Sequence, residues 1–220
     1  MKPEDLFDDS LSDVPFIAIL RGIQPEEVLG VAASLIENGI KAIEIPINSP
    51  EPFRSIELLS KEFGGNSLIG CGTALSTDDV QRAIDAGASL VVHPHANPEL
   101  VNLSVSHEKV VVPGVMTPTE AFSMLDSGAT ALKLFPSEMM SPTSVAALKA
   151  VLPEDTRLVS VGGIGTANIS AYWEVGVRAF GLGSTIYKPG MSPPEVSDAV
   201  RPLIELGRSL REIPEKVMVS

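Results

Sequence analysis

Cysteine occurs once in this 220-residue chain, at Cys71. No disulfide can close within the chain and no cysteine cluster can bind a metal, so a reducing, cytoplasmic location is expected. Basic residues are also scarce. Sixteen Lys and Arg stand against 28 Asp and Glu, giving a formal net charge of −12 and a pI of about 4.6. Such a surface repels nucleic acid and anionic membranes, which argues against both as partners; an anionic small ligand would need a local electropositive site. No run of 18 apolar residues long enough to span a membrane exists. Met1 to Asp13 is acidic and lacks the basic-then-apolar pattern of a signal peptide. Low-complexity stretches are missing, and nothing resembling a linker divides the chain, so one domain over residues 1–220 is expected.

What is present is apolar residue in short bursts: 44% of the chain is hydrophobic, enough for a sizeable core. The bursts alternate with helix-like segments that end in glycine. Gly39 precedes Ala42–Ile45, Gly87 precedes Leu90–Val92, Gly128 precedes Ala131–Phe135 and Gly176 precedes Ala179–Leu182. A left-handed glycine is the usual way for a helix to turn back into a sheet. Phe16–Leu20, Leu68–Gly70, Val110–Val112 and Leu158–Val161 supply four further strands. Thr77-Asp78-Asp79, Thr117-Pro118-Thr119-Glu120 and Thr166-Ala167-Asn168 offer capping side chains, and Pro25 with Glu26-Glu27 suits a first helical turn. Eight strands, apolar on both faces and alternating with helices, predict an α/β (β/α)8 TIM barrel with an extra N-terminal helix around Pro3–Ser10. An open doubly wound sheet is the alternative.

Lys133 stands out within this pattern. It interrupts the apolar run Ala131-Leu132-Lys133-Leu134-Phe135, where burial disfavours the ammonium and lowers its pKa. A lysine amine that is neutral near pH 7 is a nucleophile that forms Schiff bases with carbonyl compounds. Glu44 interrupts a second run, Ala42-Ile43-Glu44-Ile45-Pro46. Together they suggest carbonyl chemistry assisted by an acid/base. The bland reading keeps Lys133 at the barrel rim or paired structurally with Glu44.

In a barrel of this kind the chemistry lies at the C-terminal strand ends. Those ends carry Arg21-Gly22, Asn48-Ser49, Gly72-Thr73, His93-Pro94-His95, Pro113-Gly114, Phe135-Pro136, Val161-Gly162-Gly163 and Gly183-Ser184. Glycines let backbone N–H groups approach an anion, and the loops after the seventh and eighth strands are the habitual phosphate site of the fold. Gly162, Gly163, Gly183 and Ser184 therefore form a candidate phosphate cradle. Thr73 could equally cap or turn the chain, and Arg21 could form a rim ion pair. His93 and His95 bracket a proline with no third metal ligand at matching spacing, so no metal is assigned.

The ordered set Ile19-Leu20-Arg21-Gly22, Glu44-Ile45-Pro46, Gly70-Cys71-Gly72-Thr73, Pro94, Pro113-Gly114, Leu132-Lys133-Leu134-Phe135-Pro136, Val161-Gly162-Gly163-Ile164 and Gly181-Leu182-Gly183-Ser184 resembles the class I KDPG/KDPGal aldolase family. The likeness runs from about Phe16 to Pro189. It implies reversible cleavage of a 2-keto-3-deoxy-6-phosphosugar acid to pyruvate and glyceraldehyde 3-phosphate, with no cofactor, in a homotrimer. It gives Lys133 as the imine-forming residue, Glu44 as proton shuttle, Arg21 and Thr73 as holders of the substrate carboxylate, Phe135 and Pro94 as lining, and the glycine loops with Ser184 as holders of the phosphate. Asn48 and Val161 stand where the gluconate-type enzymes usually carry Arg and Thr, which resembles the galactonate branch. The gluconate epimer, or both, is the alternative substrate. His93 departs from the pattern, which more often has a smaller residue before the proline. Two other functions remain open: a pyruvate-binding Schiff-base enzyme acting on oxaloacetate or a non-phosphorylated keto acid, and a non-catalytic sugar-phosphate-binding protein.

Overall fold

A computed structural model of the chain describes residues 1–212. Its strands are β1 (Phe16–Ile19), β2 (Ala42–Pro46), β3 (Leu68–Gly72), β4 (Leu90–Val92), β5 (Val110–Val112), β6 (Gly114–Val115), β7 (Leu132–Leu134), β8 (Leu158–Val161) and β9 (Ala179–Leu182). All pair in parallel, in the order β5-β4-β3-β2-β1-β9-β8-β7-β6. The result is a nearly closed α/β barrel with flanking helices, not an open doubly wound sheet.

The expected fifth strand is in two pieces, β5 and β6, because Pro113 has no N–H to give to a ladder. The split allows the ring to close. Residues before Pro113 pair with β4, and residues after it pair with β7, where Gly114 faces Lys133. Lys133 N–H donates to the Pro113 carbonyl at 2.8 Å, so the break in the strand lies directly beside the lysine.

Side chains alternate between two apolar layers. Ile17, Ile19, Ala42, Leu68, Leu90, Val92, Val110, Val112, Ala131, Val159, Val161 and Ala179 fill the barrel interior. The intervening residues, such as Ile43, Ile45, Ile69, Val91 and Phe180, belong to the outer layer with helix residues including Val28, Leu35 and Val200. The N-terminal helix α1 (Pro3–Ser10) is where the sequence placed it, and its Phe7, with Leu11 just after it, joins the interior layer and stops the bottom of the barrel.

The other helices are α2 (Pro25–Glu37), α3 (Pro52–Phe63), α4 (Thr77–Asp85), α5 (Pro98–Ser106), α6 (Pro118–Asp126), α7 (Pro142–Lys149), α8 (Ile169–Glu174) and α9 (Pro193–Arg211). The four glycines expected to end helices all have φ between 91° and 99°. Thr117 caps α6 as expected, exchanging bonds with Glu120. At α4 the cap is Ser76, one residue before the expected Thr77, because Ser76 reaches the Asp79 N–H. Among the described residues no helix is long and apolar enough to cross a membrane.

Candidate active site

Glu44 and Lys133 share the inward parity of their strands, two residues beyond Ala42 and Ala131 of the interior layer. Both are deeply buried, at 2% and 5% exposure. Burial is the largest influence on each. It raises the Glu44 carboxyl from 4.5 to about 7, outweighing the opposing pull of Lys133 and Arg21. It lowers the Lys133 amine against the attraction of Glu44, and the Arg21 charge pushes the same way as burial. The acid is thus held near half-protonation at neutral pH while the amine is made easier to deprotonate, which is the state that acid/base and nucleophilic chemistry require. The Lys133 Nζ lies 4.5 Å from the centroid of the half-buried Phe135 ring. One Glu44 oxygen, Oε2, is buried with no hydrogen-bond partner among the described residues.

Three strand ends are tied together at the rim. The Arg21 guanidinium follows β1 and donates from Nη1 to Asn48 Oδ1 at 2.5 Å and from Nη2 to Thr73 Oγ1 at 3.3 Å. Gly22 N–H donates to Ser49 Oγ at 2.9 Å. Thr73 has φ 60°, a conformation that a β-branched residue adopts only under constraint and that clusters at functional sites. Among the described residues Arg21 forms no salt bridge; its guanidinium holds the neutral side chains of Asn48 and Thr73.

The glycine loops also meet. Gly162 and Gly163 both have positive φ. The Thr185 hydroxyl donates to the Ile164 carbonyl at 3.0 Å, joining the loop after β8 to the loop holding Gly183 and the exposed Ser184. In the stretch Thr166-Ala167-Asn168, expected to cap α8, Asn168 takes the N-cap position but its side chain braces the first loop: it donates to the Gly163 carbonyl and accepts from Gly165 N–H. Ser137 accepts from Val161 N–H at 3.0 Å and donates to the Leu134 carbonyl, fixing the end of β8 to the end of β7. Sequence reading missed Thr185, Asn168 and Ser137 as bracing residues; a lone hydroxyl or amide one turn past a strand carries no pattern of its own.

Pro94 is half-buried, and its carbonyl packs against Gly114. Val161 is 7% exposed and lies on the interior side of β8. His93 is fully buried, with neither ring nitrogen hydrogen-bonded among the described residues. Burial, assisted by His95 and Lys133, lowers its pKa to about 3, so it is a neutral imidazole. A cavity of about 350 Å³ lies at the opposite end of the barrel, lined by Phe7, Leu11, Arg157 and Arg211 among others. Its lining contains none of the candidate site residues, and it lies at the end of the barrel that serves stability rather than chemistry.

The family model described as KDPG and KHG aldolase covers residues 7–200. A probable 2-dehydro-3-deoxy-6-phosphogalactonate aldolase of Rhizobium meliloti (strain 1021) is 48% identical over 182 residues, 83% of this chain and 86% of the relative. The 2-dehydro-3-deoxy-6-phosphogalactonate aldolase of Escherichia coli (strain K12) is 41% identical over 179 residues, 81% of this chain and 87% of the relative. A solved structure described as native KDPGal superposes with a TM-score of 0.88 at 38% identity, covering 91% of this chain and 97% of the other. With that coverage of both chains, the protein belongs to the KDPG and KHG aldolase family.

Proposed function

We propose that this chain is a class I aldolase that reversibly cleaves 2-dehydro-3-deoxy-6-phosphogalactonate to pyruvate and glyceraldehyde 3-phosphate. The observation that carries the reading is the buried lysine amine inside the barrel, with a carboxyl held near neutrality acting on the same space. The relatives named for the galactonate epimer, at 48% and 41% identity, support that substrate over the gluconate one. Asn48 and Val161 support the same choice.

In the proposed reaction the Lys133 amine attacks the C2 ketone, and loss of water from the carbinolamine gives a protonated imine. The imine accepts the electron pair released when the C3–C4 bond breaks, while the C4 hydroxyl loses its proton and becomes the aldehyde of glyceraldehyde 3-phosphate. The remaining enamine takes a proton at C3, and hydrolysis of the imine releases pyruvate and the free lysine. Glu44 shuttles protons in the carbinolamine steps and, through water, at the C4 hydroxyl. Arg21 and Thr73 hold the substrate carboxylate, Arg21 through charge-assisted hydrogen bonds. Gly162, Gly163, Gly183 and Ser184 hold the 6-phosphate, and Phe135 and Pro94 line the pyruvyl portion. Phosphorylated substrate, pyruvate and glyceraldehyde 3-phosphate are the partners of this reading. A cytoplasmic homotrimer is its assembly, with exposed apolar side chains such as Leu75, Phe122 and Met139 available for contacts between copies.

Pyruvate release from the galactonate and gluconate epimers, with and without the 6-phosphate, tests the proposal. The expected order has the phosphorylated galactonate epimer first in kcat/KM. Equal rates with and without phosphate would remove the cradle assignment. Tight binding with no pyruvate released would point to a binding protein.

A further inference from the structure

The inner face of β3 has a gap. Its inward positions are Leu68, Gly70 and Gly72, so the two nearest the open end carry no side chain. A β-carbon built on Gly72 would overlap the Glu44 carboxyl group, with Oε2, the carboxyl carbon and Oε1 as its three nearest neighbours. Gly72 lies within a regular strand and does not have positive φ. Its backbone conformation is therefore open to any residue, and the reason for glycine is space. In the β2–β3 register Glu44 faces Gly70 and Pro46 faces Gly72, so the Glu44 side chain leans along the neighbouring strand toward the barrel mouth and lies across Gly72.

We propose that Gly72 is a positioning residue: its absent side chain is the slot that seats the Glu44 carboxyl inside the barrel, against the strand and away from water. Seated there, Glu44 is felt by Lys133 on β7, by Arg21 beyond β1 and by Cys71 on β3. Any side chain at 72 would swing the carboxyl toward the open end, where water would solvate it. The functional consequence rests on the proposed role of Glu44 as proton shuttle; the slot itself is a steric matter.

The decisive experiment is a thermal-stability cycle of Gly72→Ala with Glu44→Ala, combined with kinetics of Gly72→Ala. The added methyl is expected to shift Tm by several degrees beside Glu44 and by far less once Glu44 is truncated. If Gly72→Ala alone does not fold, folding of the double variant takes the place of that comparison. In turnover, Gly72→Ala should reduce kcat by about a hundredfold, the scale of a ~1 Å misplacement, with a much smaller change in KM. The Glu44 limb of its pH–kcat/KM profile, which reports the free enzyme, should move from about 7 toward the ordinary carboxylate range. Glu44→Asp, one methylene shorter, should recover part of the lost kcat when combined with Gly72→Ala. An equal Tm shift in both backgrounds, or an unchanged kcat and pH limb in Gly72→Ala, would overturn the proposal. Full kcat in Glu44→Gln would instead reject the shuttle role, and the thermal cycle would still decide the slot.

Discussion

Replacing Glu44 by Gln tests the electrostatics of the barrel without removing volume. Burial raises the Glu44 carboxyl from 4.5 to about 7, so the folded protein holds a proton there that the unfolded chain has already released. A group raised in this way contributes stability that is fully present below about pH 4.5 and is lost as pH rises through about 7. At ~1.4 kcal/mol for each pH unit, the loss across that window is about 3 kcal/mol. Glutamine cannot ionise and does not suffer it. The difference in Tm, Glu44→Gln minus wild type, is therefore expected to climb between pH 5 and 8. Its total rise is roughly 10 °C, from ~2–4 °C per kcal/mol for a chain of this size. Calorimetry or circular dichroism at four or five pH values reads this directly. Relative to wild type, kcat of the variant should be lower by about a hundredfold or more, with KM less affected. A flat Tm difference across pH 5 to 8 would refute the claim that the carboxyl is seated out of water.

Four further variants separate the proposed roles. Lys133→Met should leave the fold intact by circular dichroism and reduce turnover to below about 10⁻³ of wild type; near-normal kcat would remove the imine. Ser184→Ala should lower kcat/KM for the phosphorylated substrate by roughly tenfold or more, since a hydrogen bond to a charged group contributes ~1.5–3 kcal/mol. The same change should leave a non-phosphorylated keto acid unaffected. Arg21→Lys keeps the charge but loses the fork that spans Asn48 and Thr73. It should raise KM for pyruvate in the condensation direction by about tenfold, ~1.4 kcal/mol. Val161→Thr with Asn48→Arg should shift the kcat/KM ratio toward the gluconate epimer; an unchanged ratio would place epimer selection at other residues.

The barrel was legible because its punctuation is chemical. Gly39, Gly87, Gly128 and Gly176 mark four of the returns to the sheet, and the short apolar runs after them leave no room for helices. Glu44 and Lys133 were legible because a charge in an apolar strand is costly enough to need a reason. What the sequence withheld came from long-range contact. The break at Pro113 looks like the end of a strand, yet it is where the ring closes beside Lys133. Ser76 rather than Thr77 caps α4, a shift of one residue between two equally competent hydroxyls. The bracing by Ser137, Asn168 and Thr185 depends on loops that are distant in sequence. His93 was noticed as a departure, with a structural or a substrate-lining role both open; the structure makes it a buried neutral imidazole at the end of β4.

Borohydride reduction in the presence of pyruvate, followed by peptide mass mapping, tests the central claim most directly. The account predicts a pyruvate-derived adduct on the peptide containing Lys133 and on no other lysine peptide, lost in Lys133→Met. Saturable pyruvate binding with no reducible adduct, or an adduct confined to a different lysine, would contradict it.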